Sequence, residues 1–278
     1  MNDQPPIFDL ILEPRRLQKE YWKDLWRFRE LFFFLAWRDT LVRYKQAVFG
    51  VTWAILRPLL TMIIFTFVFG KLAKLPSEGV PYSLFVLAGM LPWQLFSSSL
   101  SDASGSVVSN ANMISKIYFP RMIIPSSSVI VNLFDFAVTF VLLFIYMIVL
   151  RVPMRLQILT LPMFLAIALA FALGTGLWLA ALNVRFRDFR YVIPFLVQFG
   201  LYLSPVGYAS TLVPARYQWL YILNPMVAVI DGFRWALFGT PPLNYIYSSS
   251  LSLIVSFLLL ASGLLYFRST ERTFADII

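Results

Sequence analysis

The sequence predicts an all-α integral membrane protein: six transmembrane helices, an N-terminal amphipathic interface helix, short external re-entrant helices, and both termini in the cytoplasm. Three observations predict it. Hydrophobic residues make up 59% of the 278 and charged residues 13%, with a mean hydropathy of +0.75. That balance belongs to a polytopic membrane protein rather than a soluble core of the same length. Apolar stretches near the roughly 20 residues that a transmembrane helix needs recur along the chain. Lysine and arginine crowd into alternate connecting segments, as orientation in a bilayer requires.

The elements follow in order. Residues 1–50 read as a cytoplasmic N-terminal segment that carries the interface helix, and residues 51–278 as the six-span domain. The opening M-N-D-Q-P-P-I-F-D-L has no basic region leading into an apolar one, so no cleavable signal peptide is expected and insertion rests on the internal spans. Within residues 17–50, Leu25, Phe28, Phe32 and Leu35 form an apolar stripe of helical period among many charges, as a helix lying in the interface requires. The junction that follows, R-D-T-L-V-R-Y-K-Q-A-V-F-G-V-T-W-A-I-L-R-P from Arg38 to Pro58, runs without a linker from a basic, aromatic surface into the first span. Arg38, Arg43 and Lys45 suit anionic headgroups, and Tyr44 and Trp53 suit the interface.

Five spans are placed near 52–70, 82–100, 125–150, 158–182 and 245–267. A sixth, 192–206, is short and interrupted by Pro194 and Pro205, and spans if it continues to about 213. Residues 101–124 are small and polar before turning basic and aromatic, and lie inside. Residues 214–244, broken by Asn224-Pro225, Gly239 and Pro241-Pro242, read as external helices re-entering or lying on the outer leaflet. With both ends inside, the cytoplasmic segments hold 16 lysines and arginines against 6 outside, Arg57 being left within the first span. The net charge of +9 is therefore read as topology rather than as a nucleic-acid surface.

The chemistry available is narrow. Cysteine and histidine are absent, which removes thiol nucleophiles and the commonest general base and metal ligand. No G-x-x-x-x-G-K-[ST] loop occurs, so no Walker site is expected. Gly174-Thr175-Gly176 falls inside the fourth span, where it would permit close helix packing. Asp102 and Asp135 are the intramembrane acids, and such groups are functional candidates by default. Asp135 has no evident histidine or lysine partner and reads equally as satisfied by Asn132, by Thr139 or by another helix. Asp231 and Arg234 sit at helical i,i+3 spacing outside. Aromatic residues are 17% of the chain; Phe65, Phe67 and Phe69 in the first span, with Phe195, Phe199 and Tyr202 in the fifth, are candidates to line a conduit. Ordinary helix packing and interface belts account for such rings as well.

The Arg38–Pro58 junction, the loop K-I-Y-F-P-R-M-I-I-P from Lys116 to Pro125, Arg187-Asp188, Asn224-Pro225 and the ending E-R-T-F-A-D-I-I together resemble ABC-2 type permeases, in the branch that exports O-antigen, capsular and teichoic-acid polymers. The matches run from near Arg15 to the last residue. The resemblance implies a homodimer in a bacterial inner membrane, with two copies of a separate cytoplasmic ATP-binding subunit that holds ATP and magnesium. This chain would hold no cofactor, hydrolyse no ATP and bind no nucleic acid. The resemblance also implies that the segment before Lys116, with Asn110, Asn112, Met113 and Ile114, docks on the ATPase, supported by Lys116, Tyr118, Phe119 and Arg121. A lipid-linked polysaccharide, best fitting O-antigen for lipopolysaccharide, would be the substrate. Its carrier would be held by Arg38, Arg43, Tyr44 and Lys45 beside membrane lipids. Teichoic acid, capsule and small lipid or drug substrates are the alternatives, and a membrane glycosyl- or acyltransferase is the rival of another class.

Overall fold

The computed structural model describes residues 18–45, 52–240 and 245–277. The N-terminal residues 1–17, the middle of the junction at 46–51, residues 241–244 with their two prolines, and residue 278 lie outside the described residues. Helices α1 (Gln18–Arg27) and α2 (Arg29–Lys45) are joined by backbone bonds across Phe28, whose N–H donates to Asp24 O and whose carbonyl accepts from Phe32 N. Then come α3 (Thr52–Phe65), which continues as a π-helical segment Thr66–Leu72, and α4 (Tyr82–Ser109). A four-residue helix α5 (Ala111–Ile114) follows before α6 (Ile123–Val149) and α7 (Leu161–Arg185), the latter preceded by a 3-10 turn, Leu156–Thr160. Next are α8 (Phe189–Leu203), α9 (Ala215–Tyr221), α10 (Pro225–Phe238), α11 (Tyr245–Thr270) and α12 (Phe274–Ile277).

Among the described residues five helical stretches are long and apolar enough to cross a bilayer: Thr52–Leu72, Tyr82–Ser109, Ile123–Val149, Leu156–Arg185 and Tyr247–Thr273. Helix α8, at 15 residues, reaches only about 22 Å at the helical rise, short of a hydrocarbon core of about 30 Å. The helix does not run on to 213. Proline at 205 disfavours the helical conformation for the residue before it, and Ser204 is extended at φ −111, ψ 147.

Helix α4 is the centre of the bundle, packed by α6, α7, α10, α3 and α8. Its apolar 18-residue stretch has a mean hydropathy of 1.3, against 2.3 for the corresponding stretches of α6 and α7. A helix surrounded by protein can carry serines and glycines that a lipid-facing helix cannot afford. Helix α7 lies between α4 and α11. A Cβ added at Gly174 would stand 2.6 Å from the Leu260 backbone nitrogen, so the glycine is what lets α7 and α11 approach. Helix α10 is packed inside the bundle against α4, α7 and α11 rather than lying on its surface. Asn224 caps it by accepting from Met226 N–H at 3.0 Å, Pro225 occupies the first turn, and Gly239 closes it at φ 74.

The core has two parts. The larger is built from α4, α6, α7 and α10 around residues such as Phe85, Leu87, Phe164 and Phe233. The smaller gathers Leu35, Val107, Ile114, Phe119, Ile123, Leu177, Phe267 and Phe274 where α2, α4, α5, α7 and the C-terminal residues meet. Leu25, Phe28 and Phe32, the stripe read as a membrane face, pack against this second core instead. What α1 and α2 leave exposed is a different set of rings: Trp22, Trp26, Phe33, Phe34 and Trp37. These rings share the exposed face with Lys23, Arg27, Arg29 and Glu30.

Candidate functional site

A cavity of about 690 Å³ opens among α2, α3, α4, α6 and α8. Its wall mixes polar side chains with the apolar Ala54, Leu60, Leu91, Leu95, Phe136 and Val197. Gln94, Ser97, Ser98 and Ser101 come from α4, Trp53, Arg57 and Thr61 from α3, and Asn132, Asp135 and Thr139 from α6. Arg43 and Tyr44 of α2 complete it. A second space of about 420 Å³ shares Arg43, Ser101 and Asp102 and extends past Gly105 to Ser109 and Asn110 at the α5 end of α4.

Arg43 organises the junction between them. One guanidinium nitrogen donates to Asp102 Oδ2 at 2.7 Å; the other donates to Asp135 Oδ2 at 2.7 Å and Asn132 Oδ1 at 2.9 Å. Asn132 Nδ2 returns a bond to Asp102 Oδ2 at 2.9 Å. A single arginine thus ties α2 to both α4 and α6 with charge-assisted bonds. Burial works to lower the Arg43 pKa, but the charges and hydrogen bonds of the two carboxylates outweigh it and hold the value above the ordinary one. The guanidinium stays cationic. Five residues back, Arg38 pairs with Asp39 at 2.7 Å and donates to Asn110 Oδ1 at 3.3 Å. Helix α2 therefore touches the residue that opens α5.

The structure divides the other predicted residues. Tyr44 packs edge-on against Phe134 at 5.5 Å, and Lys45 is exposed at the end of α2. In the α5 region, Asn112, Lys116 and Tyr118 are exposed, Met113 is half-buried, and Ile114 and Phe119 are buried in the second core. Arg121 donates to the carbonyl of Glu271, whose carboxylate accepts from Tyr21 Oη at 2.9 Å. Arg268 lies 4.7 Å from the centre of the Tyr21 ring. Phe119 and Arg121 thus fasten the loop to the body, while Asn112, Lys116 and Tyr118 form its free face.

None of Phe65, Phe67, Phe69, Phe195, Phe199 and Tyr202 lines the cavity. Phe67, Phe195, Phe199 and Tyr202 are exposed, with the Phe195 and Phe199 rings 5.2 Å apart. Phe65 and Phe69 are half-buried, 5.2 Å apart, with Phe65 against Gly207. The cavity's serines, Gln94 and Arg57 went unread as site residues. The signal was present in α4, where S-S-S-L-S-D-A-S-G-S interrupts an apolar helix.

At the far end of the bundle, Arg234 of α10 is 2% exposed and donates to three backbone carbonyls: Val206 at 2.9 Å, Tyr208 at 3.2 Å and Phe85 at 3.3 Å. Its guanidinium carbon is 3.5 Å from the Phe85 ring centre, and Asp231 stands off at 3.9 Å. A Cβ on Gly89 would meet this guanidinium at 2.6 Å. This second arginine holds the fold together and opens on no cavity named above.

The chain is 33% identical to an O-antigen export system permease protein RfbA of Klebsiella pneumoniae, covering 87% of this chain and 92% of that one. It is 28% identical to an O-antigen export system permease protein RfbA of Myxococcus xanthus over 92% and 98% of the two chains. Against the polysialic acid transport protein KpsM of Escherichia coli the identity is 24%, over 84% and 91%. Residues 30–238, from the start of α2 to the end of α10, match the ABC-2 type transporter family, and the chain belongs to that family.

Proposed function

We propose that this chain is the membrane subunit of an ATP-driven exporter that moves a lipid-linked polysaccharide, O-antigen foremost, from the cytoplasmic to the outer face of a bacterial inner membrane. The observation that carries the reading is similarity along nearly the whole chain to permeases named for O-antigen export. The more distant similarity to a polysialic acid transport protein favours capsule as the second reading. The serines, Gln94 and charged groups on part of the cavity wall support a hydrophilic cargo.

The working unit is a homodimer of six-span subunits, α8 with its irregular continuation counting as the fifth span, with both termini cytoplasmic. Two copies of an ATP-binding subunit dock on the α5 loop through Asn110, Asn112, Met113, Ile114, Lys116 and Tyr118, with Phe119 and Arg121 bracing it. ATP is hydrolysed there and not in this chain. Motion of α5 passes directly into α4 and, through the Arg38–Asn110 and Arg43–Asp102 bonds, into α2. Arg38, Lys45 and Tyr44 meet the carrier lipid at the membrane surface, with Arg43 turned inward to the carboxylates. The exposed rings Phe67, Phe195, Phe199 and Tyr202, with Phe65 and Phe69 behind them, face the path between two copies.

Affinity purification of the chain from its native membrane tests this. A stoichiometric ATP-binding subunit with ATPase activity, and loss of surface polysaccharide when the chain is removed, is the expected result. Recovery of the chain alone, with surface polysaccharide unchanged in its absence, overturns it.

A further inference from the structure

Resting on the export reading, we infer that Arg57 is an anion-binding residue of the cavity, and that it takes the phosphate of an amphiphile whose apolar chain lies along the cavity's apolar wall. The juxtaposition that carries this is a cation without an acid partner, set among other uncommitted hydrogen-bond donors.

Arg57 stands inside a helix long and apolar enough to span, where a charge is costly unless it faces water or a partner. It makes no ion pair with any described acid. The two carboxylates of the cavity wall, Asp102 and Asp135, are each held by Arg43 at 2.7 Å. Trp53, Arg57 and Thr61 recur every four residues and share the face of α3 that lines the cavity. Leu56, Ile63 and Ile64 are exposed and line no part of it. The helix thus turns its cation to the cavity and its apolar side elsewhere.

The facing wall adds donors of the same kind. Ser97 and Ser101 of α4 direct their hydroxyls to the carbonyls of Gln94 and Ser97. Gln94 and Ser98, one turn apart and half-buried, have no side-chain hydrogen bond among the described residues. An amide and a hydroxyl can each donate, and a guanidinium can only donate. A phosphate accepts from all three, in bidentate fashion from the arginine. A neutral hydroxyl would leave the cation unanswered. Leu60, Leu91, Phe136 and Val197 bound the same space. They offer nothing to a free anion, but a hydrocarbon chain covers them favourably. Arg57 lies about 7.5 Å along α3 from Thr52, one turn beyond Trp53, a ring suited to the interface. A lipid phosphate and its chain there meet both kinds of wall together.

The test uses the full chain, with any subunit that co-purifies, in neutral detergent, and reads bound ligand by native mass spectrometry. The probes are farnesyl diphosphate, farnesol, inorganic pyrophosphate and phosphatidylglycerol. Wild type should bind farnesyl diphosphate at least tenfold more tightly than farnesol or pyrophosphate. Arg57→Gln should weaken that binding at least tenfold and leave farnesol unchanged, while Arg57→Lys should keep it within about threefold. Arg216→Gln, which removes an exposed charge on α9, should leave it within about twofold. Gln94→Met with Ser98→Ala keeps the cation, removes the facing donors and should weaken binding at least threefold. Thermal unfolding of each variant separates these effects from loss of fold. Equal binding of farnesol or pyrophosphate in wild type, unchanged binding in Arg57→Gln, or an equal loss in Arg216→Gln overturns the inference. Phosphatidylglycerol identifies the source, and either answer keeps the phosphate on Arg57. If it displaces farnesyl diphosphate at equal concentration, ordinary phospholipid occupies the site; if it does not, the polymer's carrier does. The export reading is tested apart from this. If surface polysaccharide disappears without the chain while Arg57→Gln binds as wild type does, export stands and the inference falls. If surface polysaccharide persists, the export reading falls whatever the probes do.

Discussion

Arg43 and Arg234 are both drawn among apolar helices, and they are satisfied in opposite ways. Arg234 is sealed: three backbone carbonyls and the Phe85 ring surround it, and Gly89 of α4 leaves the space it fills. Arg43 is bound to side chains, its own side chain is 35% exposed, and it borders two open spaces. Backbone carbonyls move only with the chain segment that carries them, whereas carboxylates can rotate and exchange partners. The first arginine is therefore a rivet between α10, α4 and the loop after α8, and the second is a contact that can be broken and remade during a transport cycle.

The largest expected effect breaks or sustains that contrast. Arg234→Ala leaves three carbonyls and Asp231 without their cation, and removing one partner of a buried charged group costs about 3–5 kcal/mol. Arg43→Ala at a half-exposed cluster should cost about 1 kcal/mol or less, since water can reach the acids left behind. Thermal unfolding in detergent should rank them in that order, while polysaccharide export should fail in Arg43→Glu with the complex intact. Equal destabilisation by the two alanine variants would remove the distinction between rivet and movable contact.

Helix packing gives the next effect. Gly174→Leu sets a side chain against the α11 backbone and should cost about 1–3 kcal/mol by overpacking, read as a lowered unfolding temperature. The same change at Gly105, where an added Cβ meets nothing within 4 Å, should be nearly silent in stability. A third effect concerns binding rather than folding. Lys116→Glu with Tyr118→Ala alters only exposed side chains of the α5 loop and should weaken capture of the ATP-binding subunit about tenfold, about 1.4 kcal/mol, without moving the unfolding temperature. Unchanged capture would shift the docking face away from these residues.

How far the sequence reached follows the same physical divide. Hydropathy runs located α3, α4, α6, α7 and α11 because a bilayer forces each span to announce itself locally. The helix-packing role of Gly174 was legible for a similar reason, since a small residue in an apolar helix has few other uses. The partner of Asp135 was not legible. Arg43 lies 92 residues away, on a helix whose apolar stripe suggested the membrane as its neighbour. That stripe packs on protein, and packing between distant segments leaves no periodic trace. The aromatic candidates had the same limit: composition put rings in the spans but said nothing about which face meets the cavity. The serines of α4, which do meet it, look like a weak span until the helix is seen to be surrounded by protein.

The smallest effect lies where α1 meets the C-terminal residues, a third way of satisfying charge. Tyr21 Oη donates to the Glu271 carboxylate at 2.9 Å beneath Arg268, close to the free face of the α5 loop. Burial first, and then the neighbouring Glu271 charge, push the Tyr21 pKa well above its ordinary value of 10.0. The sign of the linkage follows. Below pH 10 the phenol is neutral in folded and unfolded chains alike, and its stabilisation is fully present. Above it the unfolded chain releases a proton that the folded chain retains, so stability falls as pH rises. Tyr21→Phe should cost about 1 kcal/mol at neutral pH, the usual net value of one hydrogen bond. It should also flatten the decline in unfolding temperature above pH 10. A variant that lost stability at neutral pH but kept the wild-type alkaline slope would mean that another tyrosine carries the titration, and that Tyr21 contributes only through packing.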